Sequence, residues 1–183
     1  MKHVCVFLAD GFEEIEALTV VDVLRRAGVR VETVSVNGNE MVQGSHWISV
    51  RADVVFEETG FDRVDMLVLP GGMPGTKNLQ KHQGLNKLLR TYDKEEKWIA
   101  AICAAPSIFG HRGILQGKRA CSYPCFEDHL EGAAVTAGPV EVDGNVITSR
   151  GMGTSIPFGL AIAGVFCGQN KADACAHGIV YQP

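Results

Sequence analysis

One cysteine of this 183-residue chain stands apart by position. Cys103 ends the apolar run Trp98-Ile-Ala-Ala-Ile102 and is followed at once by Ala104, Ala105, Pro106 and Ser107. The run reads as a buried strand, and the small residues and proline suit the opening turn of a helix. Cys103 therefore falls at a strand-to-helix corner, which in a parallel sheet faces the crevice where ligands bind. A thiol beside a helix N-terminus leans towards the thiolate and serves as a nucleophile. The other cysteines, Cys5, Cys121, Cys125, Cys167 and Cys175, fall inside strands or helices or in a loop without a partner, and read as core or surface thiols. Their scattered spacing, in a chain too large to need staples, calls for free thiols rather than disulfides. Cys121 and Cys125 lack both a second pair and histidines at zinc-finger spacing, so no metal is expected.

A second group able to do chemistry is the acidic run Glu13, Glu14 and Glu16. Acids in the first turn of a helix complement its dipole, and Glu13 and Glu14 read as a solvated cap. Glu16 instead leads the row Glu16, Val20, Val23, Ala27 beside the apolar stripe Ala17, Val20, Val21, Leu24, so its carboxylate turns towards the protein. Burial there raises a carboxyl pKa. A third feature is Pro70-Gly-Gly-Met-Pro-Gly75, a loop able to bring backbone N–H groups close to a ligand. It has neither the ending of a phosphate loop nor a dinucleotide fingerprint, so no cofactor is expected.

These groups need strands and helices to hold them. Lys2 to Leu8 reads as a buried strand, and the helix after it closes at Gly28. Val29 to Val36 is the second strand, and Val42 to Asp53 holds a short hairpin or an edge strand. Within it His46, with no metal-ligand partner nearby, reads as a surface or interface histidine. Val64 to Leu69 is the next strand, Asn78 to Tyr92 an amphipathic helix, and Trp98 to Ile102 a further strand. Strand, glycine loop, helix, strand, cysteine and helix form a βαβα run, which implies a parallel sheet. Shorter strands follow at Arg119–Ser122, Ala133–Thr136 and Val140–Ser149, the last bent into a hairpin at Asp143-Gly144-Asn145. Thr154 or Ser155 caps a long helix, and a short one near Lys171–His177 ends at Gly178.

Length suits one domain over residues 1–183. A composition 46% hydrophobic and 21% charged with net charge −4 is that of a globular protein and carries no nucleic-acid footprint. The opening lacks the apolar core of a signal peptide, and no apolar run approaches the ~20 residues of a membrane span. A cytoplasmic protein that engages neither membrane nor nucleic acid is the expectation.

Leu8-Ala-Asp-Gly-Phe-Glu-Glu-Ile-Glu16, Leu69-Pro-Gly-Gly72, Ala100-Ala-Ile-Cys-Ala-Ala-Pro106 and Thr148-Ser-Arg-Gly-Met-Gly-Thr154 together resemble the ThiJ/PfpI superfamily, on the branch of the parkinsonism-associated deglycase. The resemblance implies a flavodoxin-like three-layer α/β sandwich, with a mainly parallel central sheet and Cys103 at a nucleophile elbow, assembled as a homodimer. It also implies that the Glu16 carboxyl hydrogen-bonds the Cys103 sulfur and that the backbone N–H groups of Gly72 and Ala104 form an oxyanion hole. Gly71, Tyr123, His46, Arg26 and Asp22 are further candidates for the substrate pocket or dimer seam. The chain departs from the family where Ala104 stands in place of a histidine after the nucleophile. It departs again where Tyr123 precedes Pro124 and where His46 replaces an arginine. A tyrosine, with its usual pKa of ~10, is a poor base near neutral pH.

The resemblance implies a cofactor-independent cysteine enzyme of glyoxalase or deglycase type, acting on small 2-oxoaldehydes or on their adducts with proteins. An oxidative-stress sensor or chaperone, working through oxidation of Cys103, is the alternative and uses the same thiol. A peptidase is disfavoured because no base adjoins Cys103. Thiazole monophosphate biosynthesis is disfavoured because no phosphate loop or basic cluster is present.

Overall fold

Every residue of β1 (His3–Leu8) is buried, the pattern of a strand covered on both faces of its sheet. In the computed structural model, which describes residues 1–182, β1 leads to α1 (Glu14–Arg26), β2 (Arg30–Ser35), the hairpin strands β3 (Met41–Gln43) and β4 (Ser49–Arg51), and β5 (Val54–Val55). Next come β6 (Met66–Leu69), α2 (Gly75–Lys81), α3 (Gln83–Lys94), β7 (Trp98–Ile102) and α4 (Pro106–Gly110). β8 (Arg119–Ala120), β9 (Ala134–Val135), β10 (Val140–Asp143), β11 (Val146–Ser149), α5 (Ser155–Cys167) and α6 (Gln169–Gly178) follow. Among the described residues no helix is long and apolar enough to cross a membrane.

Seven strands form one sheet in the order β10-β11-β7-β6-β1-β2-β5, parallel throughout except for β10. Alternation along β1 sorts its side chains. Val4, Val6 and Leu8 join a core with Val20 and Leu24 of α1 and Phe158 and Ile162 of α5. Cys5 and Phe7 join the opposite core, with Leu79 of α2, Leu85, Leu89 and Tyr92 of α3 and Phe109 of α4. The molecule is thus the three-layer α/β sandwich that the resemblance implied, built on the parallel sheet that the βαβα pattern called for. β1 hands the chain through α1 to β2 on one side, and β6 hands it through α2 and α3 to β7 on the other. The direction of travel reverses between β1 and β6, so the loops after those strands part and leave a crevice at their carboxyl ends.

The helix expected as one piece over Asn78–Tyr92 is two. It breaks at His82, whose backbone is extended and whose ring Nδ1 accepts the Leu85 N–H at 3.0 Å. Histidine is outside the usual capping set of Ser, Thr, Asp and Asn, so apolar periodicity ran through the break unseen. Of the hairpin or edge strand expected over Val42–Asp53 the β3–β4 hairpin forms, and the β10–β11 hairpin forms as expected.

Tyr92 is the largest fully buried side chain. Its hydroxyl donates to the carbonyls of Val64 at 2.8 Å and Phe61 at 3.1 Å, fastening α3 to the segment that enters β6. Tyr92→Phe leaves the buried Val64 carbonyl without this donor, while the Phe61 carbonyl keeps the Val64 N–H, and is expected to cost about 1–3 kcal/mol. Urea unfolding at fixed pH measures it, and an unchanged midpoint contradicts this account.

Candidate active site

Cys103 follows β7 directly and is one of four non-glycine residues with positive φ among those described, at +65°. For a residue with a Cβ this conformation costs about 1 kcal/mol, so its surroundings must enforce it. They do so from both sides of the residue. The Cys103 N–H donates to the Ser149 carbonyl at 3.0 Å, and the Cys103 carbonyl accepts the Tyr123 N–H at 2.9 Å. The corner is therefore sewn to the end of β11 and to the turn at Tyr123. The sulfur faces a small set of groups. The Glu16 carboxyl adjoins the thiol across Gly71, and the backbone N–H groups of Gly72 and Ala104 lie near enough to lower the thiol's pKa.

Glu16 reaches this corner from the first turn of α1. It is 1% exposed, and its Oε2 accepts the Gly71 N–H at 2.8 Å. The two glycines are required for separate reasons. A Cβ on Gly71 would lie 2.6 Å from Cys103 Cβ and 2.7 Å from Glu16 Oε2, filling the gap between acid and thiol. Gly72 has φ +89°, and a Cβ there would meet the Glu13 backbone nitrogen at 2.4 Å.

Burial pushes the Glu16 carboxyl up to about 7, against the hydrogen bonds from Cys103 and Gly71. Burial, followed by the negative charge of Glu16, pushes the Cys103 thiol up to about 12, while the Ala104 and Gly72 amides pull it down. The expectation that Cys103 leans towards thiolate is therefore reversed. Its physical reason is local: α4 has only five residues, too short to contribute a strong dipole, and the nearest charge is an anion. Above about pH 7 the pair carries one negative charge and one proton, with the proton on sulfur.

The remaining expected residues divide around this corner. Tyr123 is half exposed, and its ring lies beside Gly151, where a Cβ would sit 3.5 Å from Tyr123 Cδ2 and 3.9 Å from Glu16 Oε1. The run Ser149–Thr154, whose individual roles sequence reasoning left open, thus lines the site. It is held by the Thr154 hydroxyl, which bonds Ser149 Oγ at 2.7 Å and accepts the Gly151 N–H at 3.0 Å. Its signal was a glycine-rich segment after a strand, the same kind that drew attention to Gly71 and Gly72. Asp22 and Arg26 are exposed and pair with each other along α1 at 2.6 Å.

Glu13 and Glu14, expected as a solvated cap, are 9% and 2% exposed. Glu13 does cap α1, accepting the Glu16 N–H at 2.6 Å. Glu14 anchors the tip of the β3–β4 hairpin, accepting the His46 N–H at 2.7 Å and lying 2.9 Å from the His46 ring. Burial pushes Glu14 up, but the bonds from His46, with those from the Glu14 and Ile48 backbone, outweigh it and hold the carboxyl below its ordinary range. The Glu14 hydrogen bond and charge in turn raise the pKa of His46. His46 is exposed, as a surface histidine should be, but Glu14 gives its ring a partner that the sequence did not reveal.

The chain matches the DJ-1/PfpI family over residues 2–164. It belongs to that family. It is 38% identical over 181 residues to the protein dj-1beta of Drosophila melanogaster, covering 98% of this chain and 97% of that one. It is 33% identical over 150 residues to the deglycase PYRAB04690 of Pyrococcus abyssi, covering 81% and 89%. The solved structure of oxidized DJ-1 from Toxoplasma gondii superposes with a TM-score of 0.96 at 35% identity, covering all of both chains.

A carboxyl whose pKa rises on folding stabilises the fold fully below its unfolded value, and that contribution is lost as pH rises through the folded one. Relative to Glu16→Gln, the wild type is therefore expected to lose up to about 3 kcal/mol of stability between pH 4.5 and 7. Paired denaturant titrations of the two proteins measure this. A stability difference that stays flat over that range contradicts the assignment.

Proposed function

We propose that this protein is a cofactor-independent cysteine enzyme acting on 2-oxoaldehydes or on their adducts with proteins. The observation that carries the reading is the convergence on one sulfur of a buried carboxyl with pKa near neutrality and two backbone N–H groups. Glu16, titrating at about 7, has the value a general base needs near neutral pH. It takes the Cys103 proton as the sulfur adds to the aldehyde carbon, forming the C–S bond and an oxyanion. The Gly72 and Ala104 amides stabilise the negative charge, first on sulfur and then on oxygen. Glu16 returns that proton to the oxyanion, giving a hemithioacetal and restoring the carboxylate. Glu16 then carries a proton from the former aldehyde carbon to the adjacent carbonyl carbon while the hydroxyl proton passes to the neighbouring oxygen, leaving a thioester of a 2-hydroxy acid. Water cleaves the thioester, releasing the acid and restoring the thiol. One carbon is oxidised as its neighbour is reduced, so no external redox partner enters. The deglycase name of the Pyrococcus abyssi relative agrees with this chemistry.

Oxidation of Cys103 to the sulfinate is a second reading, favoured by the half-buried position of the thiol beside a carboxyl that can donate a hydrogen bond when protonated. The Toxoplasma gondii neighbour was solved in an oxidized form. In either reading we take the protein to act as a homodimer, supported by the exposed apolar side chains of Ile15, Trp47 and Ile48 close to the Glu14 anchor.

Purified protein supplied with methylglyoxal is expected to form lactate. Cys103→Ser should abolish turnover, and Glu16→Gln should lower it by about 10²–10⁴-fold. Turnover that survives Cys103→Ser sinks the proposal. For the second reading, limited peroxide should add two oxygens to Cys103 before any other cysteine, as read by peptide mass spectrometry, and modification of another thiol first refutes it.

A further inference from the structure

At the amino end of the sheet, away from Cys103, lies a cluster that the proposed chemistry does not use. His3 and Cys5 are two residues apart on β1 and so face the same side of the sheet. Glu32 pairs with Cys5 across the parallel ladder to β2 and shares that face. The His3 imidazole, Cys5 sulfur and Glu32 carboxylate place one donor atom each within 4.8 Å of the other two. His3 and Cys5 are 7% and 0% exposed. His3 Nε2 and Glu32 Oε2 are 3.0 Å apart, and the other Glu32 oxygen is held by Arg30. A cavity of about 420 Å³ borders His3 and Glu32 and carries Arg30, Glu58, Asp62 and Arg63 on its walls.

We propose that His3 Nε2, Cys5 Sγ and Glu32 Oε2 form a three-ligand site for a divalent cation of the zinc class, its fourth position turned to that cavity. One imidazole, one thiolate and one carboxylate form a mixed N, S and O set that suits zinc and disfavours magnesium and calcium, which take oxygen ligands. A neutral imidazole with two anions balances a 2+ charge. Around zinc, ligand atoms at 2.0–2.3 Å from the metal stand roughly 3.3–3.6 Å from one another. The His3–Glu32 pair therefore opens by a few tenths of an ångström to admit the ion. Binding breaks the Cys5 S–H bond and releases its proton to solvent as the S–metal bond forms, with no change of oxidation state. Arg30 orients the carboxylate from outside the ligand shell, the role outer hydrogen bonds play at metal sites.

The test uses the full untagged chain carrying Cys103→Ser, so that the candidate catalytic thiol cannot contribute and methylglyoxal turnover has no bearing on the result. Co²⁺ is expected to bind one per chain, with a thiolate-to-metal charge-transfer band and the visible bands of a tetrahedral centre. Zn²⁺ should displace it and raise the thermal midpoint. Adding Cys5→Ala should remove the charge-transfer band. His3→Gln and Glu32→Gln lie at less deeply buried side chains and keep the test open if Cys5→Ala fails to fold. Each should weaken Zn²⁺ binding by more than the ~10–100-fold typical of an outer-shell change. Absence of a charge-transfer band in the Cys103→Ser protein overturns the proposal. So does a band that persists, at unchanged affinity, in His3→Gln and Glu32→Gln.

Discussion

The site depends on a single proton held between a buried carboxyl and a half-buried thiol that would each prefer it. Glu16 and Cys103 sit in a corner with little water, where an isolated charge is poorly solvated. Neither group can ionise alone at low cost, and the presence of one charge opposes the other. The backbone resolves the conflict. One N–H from Gly71 supports the carboxylate, and two from Gly72 and Ala104 support the sulfur. None of the three can swing away as a side chain could, so the pair is poised by groups that require no reorganisation when charge moves.

The same constraint explains why the first turn of α1 buries three acids. Glu13, Glu14 and Glu16 have separate destinations: the cap of their own helix, the hairpin tip and the sulfur. Glu14 and Glu16 find donors fixed by other elements and Glu13 finds one in its own helix, which is what keeps buried carboxylates tolerable. A helix entry built this way locks the loop after β1, the β3–β4 hairpin and the loop after β6 into one arrangement. The exposed His46 thus takes part in the geometry of a helix whose first turn also supplies the candidate catalytic acid.

The architecture was legible because its signals are local. Apolar runs, glycine loops and a βαβα rhythm are properties of neighbouring residues, and they located β1, β6, β7, α1 and the elbow at Cys103. The inward turn of Glu16 was legible from helical spacing. What escaped depends on partners distant in sequence. Glu14 looked like a solvent-facing acid because its partners lie 31 to 34 positions away. His3 and Cys5 looked like an ordinary strand because Glu32 joins them only through strand pairing. The thiol's preference for its proton was misjudged because the depth of its burial and the shortness of α4 were invisible from the motif.

Gly71 contributes the absence of a side chain, and that absence acts as a gauge. A Cβ there would come within 2.7 Å of the carboxyl oxygen and 3.1 Å of the sulfur, so the bare backbone is what lets acid and thiol stand this close. A displacement of the order of 1 Å between reacting groups can change a rate about 10²-fold. Any residue larger than glycine would act as a wedge, separating acid from thiol while leaving both intact. The narrowest dimension of the site is therefore set by a residue that has no functional group.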